Sequence, residues 1–109
     1  PSSGDPESTE VVAQRVQEAR ARAAKRFAGE LWSVNSQVPG PVMRKRYPVS
    51  AKGQSLLYRD TSQLSARGVD RVLRVSWTIA DLRGHDIPSE IDVAAALMYR
   101  DGNGSWQAS

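Results

Sequence analysis

Three arginines recur at intervals of four and three residues in the segment SARGVDRVLRVSWTIADL. This spacing places Arg67, Arg71 and Arg74 on one face of an α-helix. Because Ser65 is a suitable N-cap, Arg67 falls in the first turn, where a positive charge is unfavourable for the helix dipole. A guanidinium at a helix start is suited to binding phosphate beside the exposed backbone amides. The row indicates either a phosphate-binding site or three arginines on a solvated face of the helix.

A second basic group lies earlier in the chain. Positions 11–47 contain eight Lys or Arg residues and two acids, whereas the first ten residues contain three acids and no base. Such a block can meet nucleic acid, nucleotide phosphate or an acidic subunit, but a solvated basic helix face explains it equally well. The predicted interaction surface consists of Arg15, Arg22, Arg26, Arg44, Lys45 and Arg46.

The chain lacks the residues that most catalytic mechanisms require. The chain has no cysteine, and its single histidine, His85, is expected in an exposed polar turn, so we predict no metal site. No G-x-x-x-x-G-K-[ST] phosphate loop occurs, and no serine has the partners of a nucleophile. Asp81 and Asp86 flank a predicted helix end and are interpreted as turn and capping residues. We expect the chain alone not to be an enzyme.

The elements that position these residues are helices. Apolar spacing, caps and prolines predict an all-α fold, a small helical bundle of about four main helices plus one short helix. The predicted helices are 6–27, the short 41–47, 50–60, 65–83 and 89–100. The helix after Ser65 is expected at the centre, with Leu73, Trp77 and Ala80 buried. Their predicted packing partners are Val16, Ala23, Leu57, Val93 and Leu97.

Two of the outer helices have predicted inner faces. For the first helix the predicted apolar seam is Val12, Val16, Ala19, Ala23 and Phe27. For the last helix it is Ile91, Ala94, Ala95 and Met98.

The length and composition of the chain also limit the number of domains and the kinds of segment it can contain. Its 109 residues allow one domain. We expect a flexible lead-in over residues 1–6, the folded domain over 7–100 and a flexible tail over 101–109. The longest apolar run, residues 93–98, is too short to span a bilayer, and no signal-peptide pattern is seen. We therefore expect a soluble, cytoplasmic protein without a membrane partner.

Four segments occur in an order that is familiar from one family: RVQEARARAAKRF, VNSQVPGP, LSARGVDRVLRVSWTIADLRG and IPSEIDVAAALMYR. Together they resemble the C-terminal helical lid of ComM-type, magnesium-chelatase-like AAA+ ATPases. The family pattern runs from an L-S-x-R helix start to T-(I/L)-A-D-L, and the likeness covers residues 7–100. Val34 replaces the usual leucine before the Asn of the turn, and Ser76 and Trp77 stand where Ala-Arg is common.

The resemblance implies a role in ATP turnover. In such motors an upstream ATPase domain of the same chain binds ATP and magnesium, and the lid closes over the nucleotide. By its place in L-S-x-R, Arg67 is similar to the sensor-2 arginine that reaches the ATP phosphates. Arg71 matches a further family arginine on the phosphate side or at a subunit interface. The parent is expected to be a homo-hexamer, and this chain alone is expected to bind no ATP or magnesium.

Three functions are compatible with the sequence. The ComM branch of the family implies a DNA-remodelling motor that drives branch migration during uptake of transforming DNA. The sequence pattern from L-S-x-R to T-I-A-D-L favours this branch. The chelatase branch implies an ATPase subunit that supports magnesium insertion into a porphyrin. The third candidate is a stand-alone basic helical module that binds nucleic acid. A phosphate loop encoded upstream would distinguish the first two from the third.

Overall fold

Several helices begin or end where the sequence carries a capping residue or a proline. The computed structural model describes residues 9–60 and 65–99, in which all regular elements are helical and no strand occurs. The predicted all-α bundle is therefore confirmed. The helices are α1 (Thr9–Arg26), α2 (Gly40–Arg46), α3 (Ala51–Asp60), α4 (Ala66–Arg83) and α5 (Glu90–Met98), with a 3-10 turn at Asn35–Gln37. The predicted lead-in, the tail, the first residues of the first helix and the end of the last at Arg100 lie outside the described residues.

The ends of α4 follow the predicted signals. The Ser65 hydroxyl accepts a hydrogen bond from the backbone N–H of Gly68 at 3.1 Å and so caps the helix. At the other end Gly84 adopts a left-handed conformation with φ of 81°, which a residue with a side chain rarely adopts. The boundaries of α4 are thus set by local chemistry.

The core forms around α4, which contacts α1, α2, α5 and the 3-10 turn. Leu73, Trp77 and Ala80 are buried, as predicted. The Trp77 ring meets the Tyr47 ring edge to face, and its Nε1–H donates to the Tyr47 carbonyl at 2.9 Å. The predicted packing partners Ala23, Leu57, Val93 and Leu97 are buried as well, and Val16 is half-buried. Among the described residues no helix combines the length and the hydropathy of a membrane span.

The predicted inner face of α5 is wrong. Ile91 and Met98 are 63% and 72% exposed, whereas the buried positions are Asp92, Val93, Ala96 and Leu97. Apolar residues surround this helix on nearly every side, so their period does not select a face. The capping box between Ser89 and Asp92 turns the carboxylate inward instead, and the buried face follows from that rotation.

The predicted seam of α1 is only half correct. Ala23 and Phe27 are buried, but Val12 is 43% exposed and Val16 is half-buried. Only the C-terminal half of the helix reaches the core, because α4 and the 3-10 turn cover it there.

Candidate functional site

The exposed start of α4 carries the residue that the sequence singled out first. Arg67 is the second residue of the helix, its side chain is exposed, and no hydrogen bond or ion pair joins it to another described residue. Arg71 lies one turn further along, is half-buried and has an interaction of its own. The first turn therefore presents a permanent positive charge to the surroundings of the bundle.

The third member of the row has a different environment. The Nε and Nη2 atoms of Arg74 both donate to the backbone carbonyl of Val38, at 3.0 and 2.9 Å. Val38 is fully buried in the loop before α2. A charged donor that satisfies a buried carbonyl stabilises the fold, because that carbonyl would otherwise lose its hydration without replacement. Arg74 thus holds the loop against α4.

An acid that the sequence analysis did not single out lies between these arginines. The Asp70 carboxylate forms an ion pair with Arg44 of α2, and the exposed fractions of the two side chains are 15% and 37%. The carboxylate lies directly against Gly40, the first residue of α2, and a β-carbon there would overlap its atoms. Gly40 is thus required for the close approach of α2 to α4. A glycine at the start of a short helix was the available sequence signal.

The predicted basic surface contains one arginine that is largely inside the fold. Arg26 binds both carboxylate oxygens of Asp81, at 3.0 and 2.7 Å, and the two side chains are 15% and 3% exposed. Its guanidinium carbon lies 4.8 Å from the Phe27 ring centroid and 4.4 Å from that of Trp77, which permits cation–π attraction to both. The interpretation of Asp81 as a turn or capping residue is wrong, because its carboxylate is buried beneath α1.

Asn35 completes this cluster from the 3-10 turn. Its Oδ1 accepts from Arg26 at 2.9 Å, and its Nδ2 donates to Asp81 at 3.1 Å and to Thr78 at 3.3 Å. Arg22 donates to the Asp81 carbonyl at 2.9 Å. We call Arg26, Asn35 and Asp81 the buried polar cluster. It joins α1, the 3-10 turn and α4 in one arrangement, and sequence reasoning missed it because Asp81 is 55 and 46 residues away from Arg26 and Asn35 along the chain.

The remaining members of the predicted surface differ in their surroundings. Arg46 binds Glu30, whose pKa is held below its usual value by that hydrogen-bonded guanidinium. Lys45 and Arg15 are exposed, and Arg15 also has an interaction of its own. Arg26, Arg44 and Arg46 of this surface are therefore paired with carboxylates.

The single histidine interacts with the buried acid of α5. His85 is half-buried, its Nδ1 lies 2.7 Å from Asp92, and Ser89 donates to the same carboxylate through its backbone N–H at 2.9 Å. Burial alone would raise the pKa of Asp92, but these hydrogen bonds outweigh it and hold that pKa below its usual value. Within residues 9–60 and 65–99, no three His, Asp or Glu side chains are grouped as metal ligands.

Comparison with known proteins identifies the class of the domain. Residues 6–100 match the family described as magnesium chelatase, subunit ChlI C-terminal. The match covers most of the chain, which therefore belongs to this family and is a magnesium-chelatase-like AAA+ lid domain. That part of the resemblance is confirmed.

The curated relatives are longer proteins. The chain is similar to uncharacterized proteins of Mycobacterium bovis and of the CDC 1551 and H37Rv strains of Mycobacterium tuberculosis, at 44% identity over 101 residues in each case. The alignments cover 91% of this chain and 20% of each relative, so the chain spans about one fifth of the length of these relatives. No solved structure shows a significant match.

Proposed function

We propose that this domain is the C-terminal lid of an AAA+ ATPase and that Arg67 is its sensor-2 arginine. In this proposal the upstream ATPase domain of the same chain binds ATP and magnesium, and Arg67 reaches the phosphates when the lid closes. The observation that carries the proposal is the exposed guanidinium in the capped first turn of α4. Membership of the family supports the same role.

The chemistry of phosphoryl transfer explains why a lid would carry this residue. Charge on the transferred phosphoryl oxygens must be stabilised in the transition state, and a positioned cation does this without reorganisation. Arginine remains protonated, and its planar fork matches phosphate oxygens. Because α4 is packed in the core from Val72 onward, Arg67 at its start would move with the lid, and lid closure would couple nucleotide binding to catalysis. Arg71 is the second candidate for a phosphate-side or subunit-interface contact.

For the parent protein we propose a homo-hexameric, DNA-remodelling motor of the ComM type. The L-S-x-R to T-I-A-D-L segment supports this branch. The second candidate is the ATPase subunit of a magnesium chelatase, which the description of the matched family favours. A stand-alone nucleic-acid-binding module is less well supported, because Arg26, Arg44 and Arg46 are already paired with acids.

The proposal is tested by the Arg67→Ala substitution in the full-length protein. Steady-state ATP turnover should fall about 100-fold, the loss expected when one preorganised charge contact is removed from a transition state. The circular dichroism of the domain should not change, because an exposed side chain leaves no cavity. Arg20→Ala, which removes an exposed arginine from α1, is the matched control and should keep the wild-type rate. Wild-type turnover by Arg67→Ala, or unfolding of the domain, would refute the assignment.

The DNA-remodelling motor and the magnesium chelatase act on different substrates, so substrate assays distinguish the two candidate functions. Stimulation of ATP turnover by branched DNA, together with strand exchange, would support the DNA-remodelling motor. ATP-dependent insertion of magnesium into a porphyrin by the protein with its partner subunits would support the chelatase.

A further inference from the structure

The start of α4 is held by little apolar packing. From Ser65 to Arg71 each residue is exposed or half-buried, and full burial begins at Val72. The segment that carries Arg67 therefore projects beyond the core. A helix end with few buried apolar contacts opens locally at low cost in free energy, so polar contacts are needed to fix its orientation.

Two polar contacts hold this end of α4 to the loop and helix before it. Asp70 pairs with Arg44 and lies against Gly40, while Arg74 binds the buried carbonyl of Val38. Asp70 lies three residues after Arg67, about 4.5 Å along the helix axis. Both contacts reach residues 38–44, so they orient the first turns of α4 relative to α2.

We propose that Asp70 is a positioning residue that sets the direction in which Arg67 leaves the bundle, an inference that rests on the proposed role of Arg67. The carboxylate acts through Arg44 and through the contact with Gly40, and it does not touch the nucleotide. Its negative charge also offsets the repulsion among the three arginines of the row. The Asp70–Gly40 contact is thus part of the machinery that presents the arginine to phosphate.

The test is a double-mutant cycle on the full-length ATPase with Asp70→Asn, Arg67→Ala and the two combined. We expect Asp70→Asn to lower kcat/KM for ATP roughly tenfold, which is less than the roughly 100-fold loss that a misplacement of about 1 Å can cause, because the asparagine keeps the shape of the side chain. The KM for ATP should rise as kcat falls, whereas a loss of folded protein would lower kcat and leave KM unchanged. In the Arg67→Ala background Asp70→Asn should have no further effect.

The outcomes separate the two proposals. If Arg67→Ala lowers turnover but Asp70→Asn does not, or if their effects multiply, the positioning role is wrong and the sensor assignment stands. If Arg67→Ala has no effect, both are wrong. Glu30→Gln, which breaks the exposed pair with Arg46, is the matched control and should leave kcat/KM unchanged. Should Asp70→Asn fail to fold, Arg44→Gln removes the same ion pair from its more exposed side. The kcat/KM of Arg44→Gln, alone and combined with Arg67→Ala, then tests the positioning role in the same way.

Discussion

The buried polar cluster provides the most direct test of how this fold is held together. Asp81→Asn removes the charge that balances Arg26 while leaving a side chain of the same shape. Removing one partner of a buried ion pair costs about 3–5 kcal/mol, because the other charge remains without compensation. Arg26 would keep its hydrogen bond to Asn35 and its two aromatic neighbours, Phe27 and Trp77, and it is 15% exposed. We therefore expect the low end of that range, about 3 kcal/mol.

The assay is urea and thermal unfolding of the 109-residue chain at pH 7, followed by circular dichroism. For a domain of this size each kcal/mol shifts the melting temperature by about 4–8 °C, so Asp81→Asn should lower it by roughly 12–24 °C. Glu30→Gln, the exposed control, should leave both midpoints unchanged. Combining Arg26→Met with Asp81→Asn should cost less than the sum of the two, since neither charge then lacks a partner. A loss below about 1 kcal/mol for Asp81→Asn would refute the reasoning.

Three further predictions concern acid stability, the core and the nucleotide. Because the pKa of Asp92 is lowered in the folded state, its contribution to stability is present above about pH 4 and is lost as the pH falls through that lower pKa. Asp92→Asn should flatten the decline of melting temperature below pH 4, and an unchanged acid profile would contradict this. Trp77→Phe leaves the buried Tyr47 carbonyl without its donor and should cost about 1–3 kcal/mol in urea unfolding; a midpoint equal to wild type would count against it. The isolated chain should show no ATP turnover above a blank, because it has no phosphate loop; measurable phosphate release would contradict the lid proposal.

Helix boundaries were largely predictable because they depend on neighbours in the chain. The cap at Ser65 and the left-handed Gly84 are local features whose chemistry is visible in the sequence. The same holds for the centre of the core, where Leu73 and Trp77 follow the helical period. The exposed position of Arg67 also follows from its place in the first turn.

The inner face of α5 illustrates where periodicity fails. Ile91 and Met98 fit the helical period as well as Val93 and Leu97 do, so composition alone does not choose between the two faces. The choice depends on the direction of the Asp92 carboxylate, and His85 and Ser89 hold that direction across the α4–α5 turn.

The sequence by itself determined the helical class, the caps, the central helix and the arginine row. Only the tertiary structure decided which charges remain outside. Arg26 and Asp81 are 55 residues apart, and Arg44 and Asp70 are 26 apart. A buried carboxylate and a solvated one have the same local sequence signature, because burial depends on which helices pack over it. The structure therefore separates arginines that hold the bundle together, such as Arg26 and Arg74, from exposed ones, among them Arg67 at the start of α4.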